Sequence, residues 1–174
     1  RGPLSICVTA HGFVEAGTAL RRDAACVGDD IWVSGTPGDA AGALVQWEAK
    51  RGQVHFPQKN EPDPFLRVRL DRPTPRVALG LALRGLAHAC IDVSDGLLAD
   101  LGHICEASGV GATVDIDALP PSDALRTSFE ATMRHGLQAT GGDDYELCFT
   151  AAPDVRDAIE AASRDAGTAV ARVG

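Results

Sequence analysis

Ala89-Cys90-Ile91-Asp92-Val93-Ser94-Asp95-Gly96-Leu97-Leu98 is the stretch on which the reading turns. Ala89–Val93 predicts a strand, Ser94-Asp95-Gly96 a turn, and the following residues a helix through about Ala107, ended by Gly109-Val110-Gly111. Side chains two apart on a strand share a face, so Asp92 and Ser94 point the same way. Asp95 sits where the strand bends into the helix. Two carboxylates and a hydroxyl thus converge at the C-terminal end of a strand, a usual ligand position in α/β sheets. Gly96 permits close approach of a ligand to the backbone, and a new helix offers N–H groups to an anion. Two aspartates repel a phosphate unless a cation such as Mg2+ takes carboxylate and phosphate oxygens together. The competing reading makes Asp95 a helix cap and Asp92 a solvated strand end, and so short a pattern leaves both open.

Outward from this stretch, strands and helices alternate, which favours a layered α/β or α+β sheet domain. Upstream, Leu4–Ala10 alternates apolar and small polar residues and predicts a half-buried strand. Ile31–Ser34 predicts a short strand, with Asp39 capping a helix through about Lys50. Gly52–Asp71, proline-rich around Phe56–Pro64, predicts a surface loop. Thr74-Pro75 supplies a cap and first-turn proline for a helix through about Ala87. Downstream, Thr113–Ile116 predicts a strand and Asp123–Arg134 a helical patch. Tyr145–Thr150 predicts a strand, about Pro153–Ala166 a helix, and Thr168–Val173 a final strand. Both ends read as cut, as in a portion of a longer chain.

The bulk properties narrow the function classes. The 174 residues are 45% apolar and 23% charged, which suits one well-packed domain. Aromatics are only 5%, so Ala, Leu and Val are expected to build the core. A formal charge of −8 argues against a nucleic-acid binder, which needs a cationic surface. Five cysteines without C-x-x-C spacing predict free thiols and a cytoplasmic location, and argue against a disulfide framework and against a zinc site, which would need closer pairs. No run approaches the roughly 20 apolar residues that cross a bilayer, so no membrane partner is expected.

Three further motifs stand out. Thr140-Gly141-Gly142-Asp143-Asp144-Tyr145-Glu146-Leu147 can bring Asp143 into a cleft, or can be a Gly-Gly turn with solvated acids. Arg22 can clamp a phosphate in its fork, or be an ordinary surface arginine. Ser34–Asp39 looks phosphate-friendly, but lacks the Gly-Lys-Ser/Thr ending of a P-loop and reads as a structural turn. The five histidines show no metal-ligand spacing.

In order, Arg1–Ser5, Val33–Ala41, Arg69–Arg76 leading into Ala82-Leu83-Arg84, Ile91–Ile104 and Gly141–Thr150 resemble the thiamine-monophosphate kinase family over nearly the whole chain. That family shares a superfamily with aminoimidazole ribonucleotide synthetase and selenophosphate synthetase. Members pair an N-terminal domain with a C-terminal α/β domain, and the site lies between domains and subunits. The resemblance implies an α/β (α+β layered sandwich) fold, a mixed sheet flanked by helices. It makes residues 1–25 the last segment of the N-terminal domain and its connection. Residues 26–174 become the C-terminal ATP- and substrate-binding domain, truncated at its C-terminus. It further implies a homodimer in the full-length protein, and ATP- and Mg2+-dependent conversion of thiamine monophosphate to thiamine diphosphate by direct γ-phosphoryl transfer. Position by position, Asp92 and Asp95 bind Mg2+, and Ser94 and Arg22 contact ATP. Asp143 stands where the family's Gly-Gly-Glu-Asp-Tyr-Glu-Leu motif has a substrate-contacting glutamate, one methylene longer. No catalytic residue is implied beyond these metal and phosphate ligands. The alternatives are another ATP-dependent enzyme of the superfamily or a non-catalytic nucleotide-binding module. With the family's upstream metal ligands lying outside these residues, the isolated chain is expected to be inactive.

Overall fold

Side chains that alternate between two covered faces organise the sheet. The computed structural model describes residues 2–52 and 62–174. In it β1 (Asp30–Ser34), β2 (Ala89–Val93), β3 (Glu146–Ala151) and β4 (Val170–Arg172) form one sheet in the order β2-β3-β1-β4. All pairings between these strands are antiparallel, with Val93 opposite Glu146, Trp32 opposite Phe149 and Val33 opposite Ala171. Ile31, Val33, Val93 and Cys148 face one side, where Leu97, Leu101 and Leu119 cover them. Trp32, Phe149 and Ala151 face the other, against Leu79, Leu83 and Ile159. Because both faces are covered, all five residues of β1 are buried. Among the described residues alanine and leucine dominate the buried core, valine is no commoner there than isoleucine, and Trp32 stacks on Phe149 at 6.2 Å between ring centroids.

The helices flank this sheet in the layered α/β arrangement expected. α1 (Asp39–Lys50) begins where expected, but its cap is Gly38, at φ 94°, and not Asp39. Asp39 is already helical, and its carboxylate accepts from the Thr36 and Ser122 hydroxyls, each at 2.5 Å. Part of the expected Gly52–Asp71 loop is a helix, α2 (Pro64–Asp71). Asp63 caps it, accepting from Phe65 N–H at 2.8 Å and Leu66 N–H at 3.2 Å, with Pro64 in the first turn. The rest of that expected loop, Gln53–Glu61, lies outside the described residues.

α3 (Val77–Ala82) is shorter than the Thr74–Ala87 helix expected, since Arg76 is non-helical and Gly85, at φ 80°, turns the chain away. α4 (Leu97–Ser108) ends at left-handed Gly109, as read from the sequence. The expected strand Thr113–Ile116 is not formed. A bond from Asp115 N–H to Val173 O (2.7 Å) links it to the sheet margin before a 3-10 turn, Ile116–Ala118, takes over. The patch Asp123–Arg134 divides into α5 (Asp123–Ser128), capped by Ser122, and α6 (Ala131–Thr140). After β3, a 3-10 turn leads into α7 (Arg156–Asp165).

Leu4–Ala10 is exposed and not a strand. Its alternation is real, but among the described residues no strand pairs with it, and an unpaired strand leaves its ladder groups to water. Farther along, the chain straps the outer edge of β2: Arg21 forms a parallel bridge with Ala89, and Cys90 N–H donates to Arg21 O at 2.8 Å.

Candidate functional site

The β2–α4 turn is held by one carboxylate oxygen. Asp100 Oδ2 accepts from the N–H groups of Ser94 (2.9 Å), Asp95 (3.0 Å) and Gly96 (3.2 Å). This contact gives the turn's own N–H groups, which precede α4, an acceptor within the chain. It also answers the capping question, since Asp100, one turn into α4, closes the helix entry and Asp95 does not. Gly96 stands at φ 117°, where a Cβ would lie 2.7 Å from Thr140 O. Its close approach is to the end of α6, not to a ligand. The Asp143 N–H donates to Ser94 O and the Tyr145 N–H to Val93 O, both at 2.9 Å, so the glycine-rich loop clasps the end of β2. Asp143 and Tyr145 take left-handed backbone angles (φ 64° and 52°) to do so, a strained arrangement for non-glycine residues.

Beside this clasp lies a cavity of about 940 Å³. Arg22 and Asp92 both line it; Ser94, Asp95 and Asp143 do not, Ser94 and Asp143 being joined instead by the backbone bond of the neighbouring clasp. Leu20, Val77, Ile91 and Leu147 give it apolar walls. Three arginines border it. Arg21 is tied to Asp23, and Arg76 pairs with Glu146 through Nε (2.7 Å) and Nη2 (2.5 Å). Among the described residues the Arg22 guanidinium has no carboxylate partner, so this cation is available to an anionic ligand. Asp92 and Asp95 are exposed, and neither carboxylate has a hydrogen-bond or ion-pair partner among the described residues. Two unengaged carboxylates suit a hard cation such as Mg2+, which takes one or two protein oxygens and keeps waters.

The polar residues that sequence reasoning missed lie behind the cavity. Asp144, for which a solvated turn was one of the two readings, and Glu146, within the expected strand, are both fully buried. Asp144 accepts from the N–H groups of Gly38 (2.5 Å) and Ala40 (3.1 Å) at the start of α1. Burial pushes its carboxyl up to about 7, against the pull of those two bonds. Burial likewise raises Asp39. Burial would raise Glu146 too, but Arg76, Ser34 Oγ (2.5 Å) and Arg69 (2.6 Å) hold it below the usual carboxylate range. Spacing gives no clue to them, because Asp144 precedes β3 and the left-handed Tyr145 between it and Glu146 breaks the strand alternation.

The family model described as "AIR synthase related protein, C-terminal domain" matches residues 27–174. The chain belongs to that family. Over 175 aligned residues it is 46% identical to the thiamine-monophosphate kinase of Salmonella typhimurium, covering 100% of this chain and 52% of the relative. Among solved structures it is similar to the thiamine-monophosphate kinase of Stenotrophomonas maltophilia K279a, at 53% identity and TM-score 0.84 over 92% of this chain and 51% of that one. It is also similar to AaThiL complexed with AMPPCP and TMP, at 29% identity and TM-score 0.70 over 89% of this chain and 47% of that one. This member of the AIR synthase related family spans about half the length of the relatives it matches. Among its described residues no helix is long and apolar enough to cross a membrane.

Proposed function

We propose that this chain is the ligand-binding C-terminal part of a thiamine-monophosphate kinase, which transfers the γ-phosphoryl group of ATP directly to thiamine monophosphate in a Mg2+-dependent reaction, giving thiamine diphosphate and ADP. The observation that carries the reading is the cavity shared by Arg22 and Asp92 beside the Ser94–Asp143 clasp. Similarity along the whole chain to thiamine-monophosphate kinases, and to a relative in complex with AMPPCP and TMP, supports it.

The acceptor is already a phosphate oxyanion at neutral pH, so the difficulty is bringing two polyanions together, and positioning with charge neutralisation answers it. Arg22 holds a phosphate in its unpaired fork. Ser94 contacts ATP through its hydroxyl. Asp92 and Asp95 hold Mg2+, which when bound neutralises phosphate charge as a Lewis acid. Asp143 faces the cationic thiamine moiety, its backbone fixed to Ser94. Residues 1–25 belong to the preceding domain and 26–174 to the C-terminal one, and the full-length enzyme works as a cytoplasmic homodimer. All five cysteines are unpaired, which supports the location.

The test is a coupled assay of ADP release by the full-length protein with ATP, Mg2+ and thiamine monophosphate. Asp92→Asn and Asp95→Asn are each expected to lower kcat/KM by about a hundredfold, and Arg22→Lys to raise the KM for ATP. Unchanged turnover in both aspartate variants would sink the assignment.

A further inference from the structure

Away from the cavity, Cys26, Asp29 and His88 bring a thiol sulfur, a carboxylate oxygen and an imidazole nitrogen within 4.8 Å of one another. Spacing along the chain does not reveal this cluster, because the fold brings His88 in from the start of β2. Cys26-Val27-Gly28-Asp29 is a tight turn. The Asp29 N–H donates to Cys26 O at 3.1 Å, the Cys26 N–H donates to Asp29 Oδ2 at 2.9 Å, and Gly28 supplies φ 93°. The backbone of His88 is fixed independently, its N–H donating to Thr150 O at 2.8 Å, while its Nδ1 lies 2.9 Å from both Asp29 oxygens, a contact that a bound ion would replace. Two ligand types three residues apart in a turn, completed by a histidine from a distant segment, match the layout of sites that hold transition metals.

We propose that Cys26, Asp29 and His88 form a binding site for a borderline transition-metal dication, Zn2+ first among them, with the fourth position taken by water. The donor chemistry selects the ion: thiolate and imidazole favour Zn2+ strongly over Mg2+, which prefers oxygen alone. The Asp29 carboxylate is only 6% exposed, whereas the His88 side chain is 40% exposed and Cys26 lies open, which leaves an entry path. A cavity of about 220 Å³, bordered by Cys26, Asp29 and Ile104, adjoins the cluster and gives room for the water. Binding exchanges the Cys26 S–H proton for the S–metal bond and releases that proton to solvent, without redox change. Once bound, the ion ties the segment carrying Arg22 to the beginning of β2. The proposal does not depend on the kinase reading.

The test is titration of the purified, reduced protein with Co2+ in excess Mg2+, which saturates carboxylate-only sites. One equivalent of Co2+ is expected to give a thiolate-to-cobalt charge-transfer band and four-coordinate d–d bands, both removed by Zn2+. Cys26→Ser should abolish the charge-transfer band, and His88→Gln should weaken affinity roughly a hundredfold, with circular dichroism unchanged in each. Absence of the band, or a band indifferent to Cys26→Ser, overturns the proposal. Should either variant fail to fold, alkylation of the wild type decides: Zn2+ should protect Cys26 from iodoacetamide, as read by peptide mass spectrometry, and unprotected Cys26 overturns it.

Discussion

Asp100 and Asp144 each place a carboxylate against backbone N–H groups where a helix begins, and their substitutions should separate cleanly. Asp100→Ala leaves the N–H groups of Ser94, Asp95 and Gly96 without their acceptor. It is expected to lower stability by about 2–3 kcal/mol in urea unfolding and to reduce turnover of the full-length protein, while Asp100→Asn, which keeps one acceptor oxygen, should lose less of both. Asp144 carries a pH signature. Its folded-state value of about 7 lies above the unfolded carboxyl value of about 3.9. Between these two the folded state therefore holds a proton that the unfolded state has released, and the Asp144 contribution to stability declines as pH rises from about 4 to about 7. Asp144→Asn removes this titration and one acceptor, so its stability deficit against wild type should narrow between pH 5 and pH 8. A deficit that widens over that range would contradict the assignment. Glu146 runs the other way: its folded value is depressed, so its contribution is present above the unfolded value and is lost on acidification.

Among the elements, α2 depends on its cap. Asp63→Ala should cost about 1 kcal/mol, measurable as a shift in the urea midpoint. The β2–α4 turn is less forgiving. Gly96→Ala combines a φ of 117° with a Cβ 2.7 Å from Thr140 O, and is expected to cost about 2 kcal/mol or more by the same measurement. What was legible in the sequence follows from the same physics. β1, β2, β3, α4 and α7 were readable because their apolar runs are bounded by turn residues that the local chain itself dictates. α2 was not, because Pro62-Asp63-Pro64 carries loop punctuation and a helix start in the same residues, and buried Leu66 and Arg69 decide between them. Leu4–Ala10 and Thr113–Ile116 were misread because a strand is a property of two segments, and alternation within one cannot supply the other. At the site, Arg22 and Asp92 line the cavity whereas Ser94, Asp95 and Asp143 do not, because a strand-end pattern does not say which side chains turn into a hollow. The role of Asp100 was hidden because its partners are backbone groups, which leave no mark in a side-chain pattern.

For the molecule as a whole, Arg69 joins separate layers. From α2 it reaches Glu146 at 2.6 Å, Asp144 O at 3.4 Å and Asp39 at 3.7 Å, beneath the strand entrance and the start of α1. Arg69→Met leaves buried acids short of a counter-charge and is expected to cost about 3 kcal/mol or more, seen as an earlier midpoint in chemical denaturation. The two faces of the sheet are closed by helices, but its β2 margin is closed by chain lacking regular structure: the Arg21–Ala89 bridge and the Cys90–Arg21 bond. That strip works as a selvedge on woven cloth. Were it to lift, the bared margin would invite another molecule to add itself strand upon strand, and the first symptom of damage there would be turbidity at ordinary temperature, well before any loss of helix.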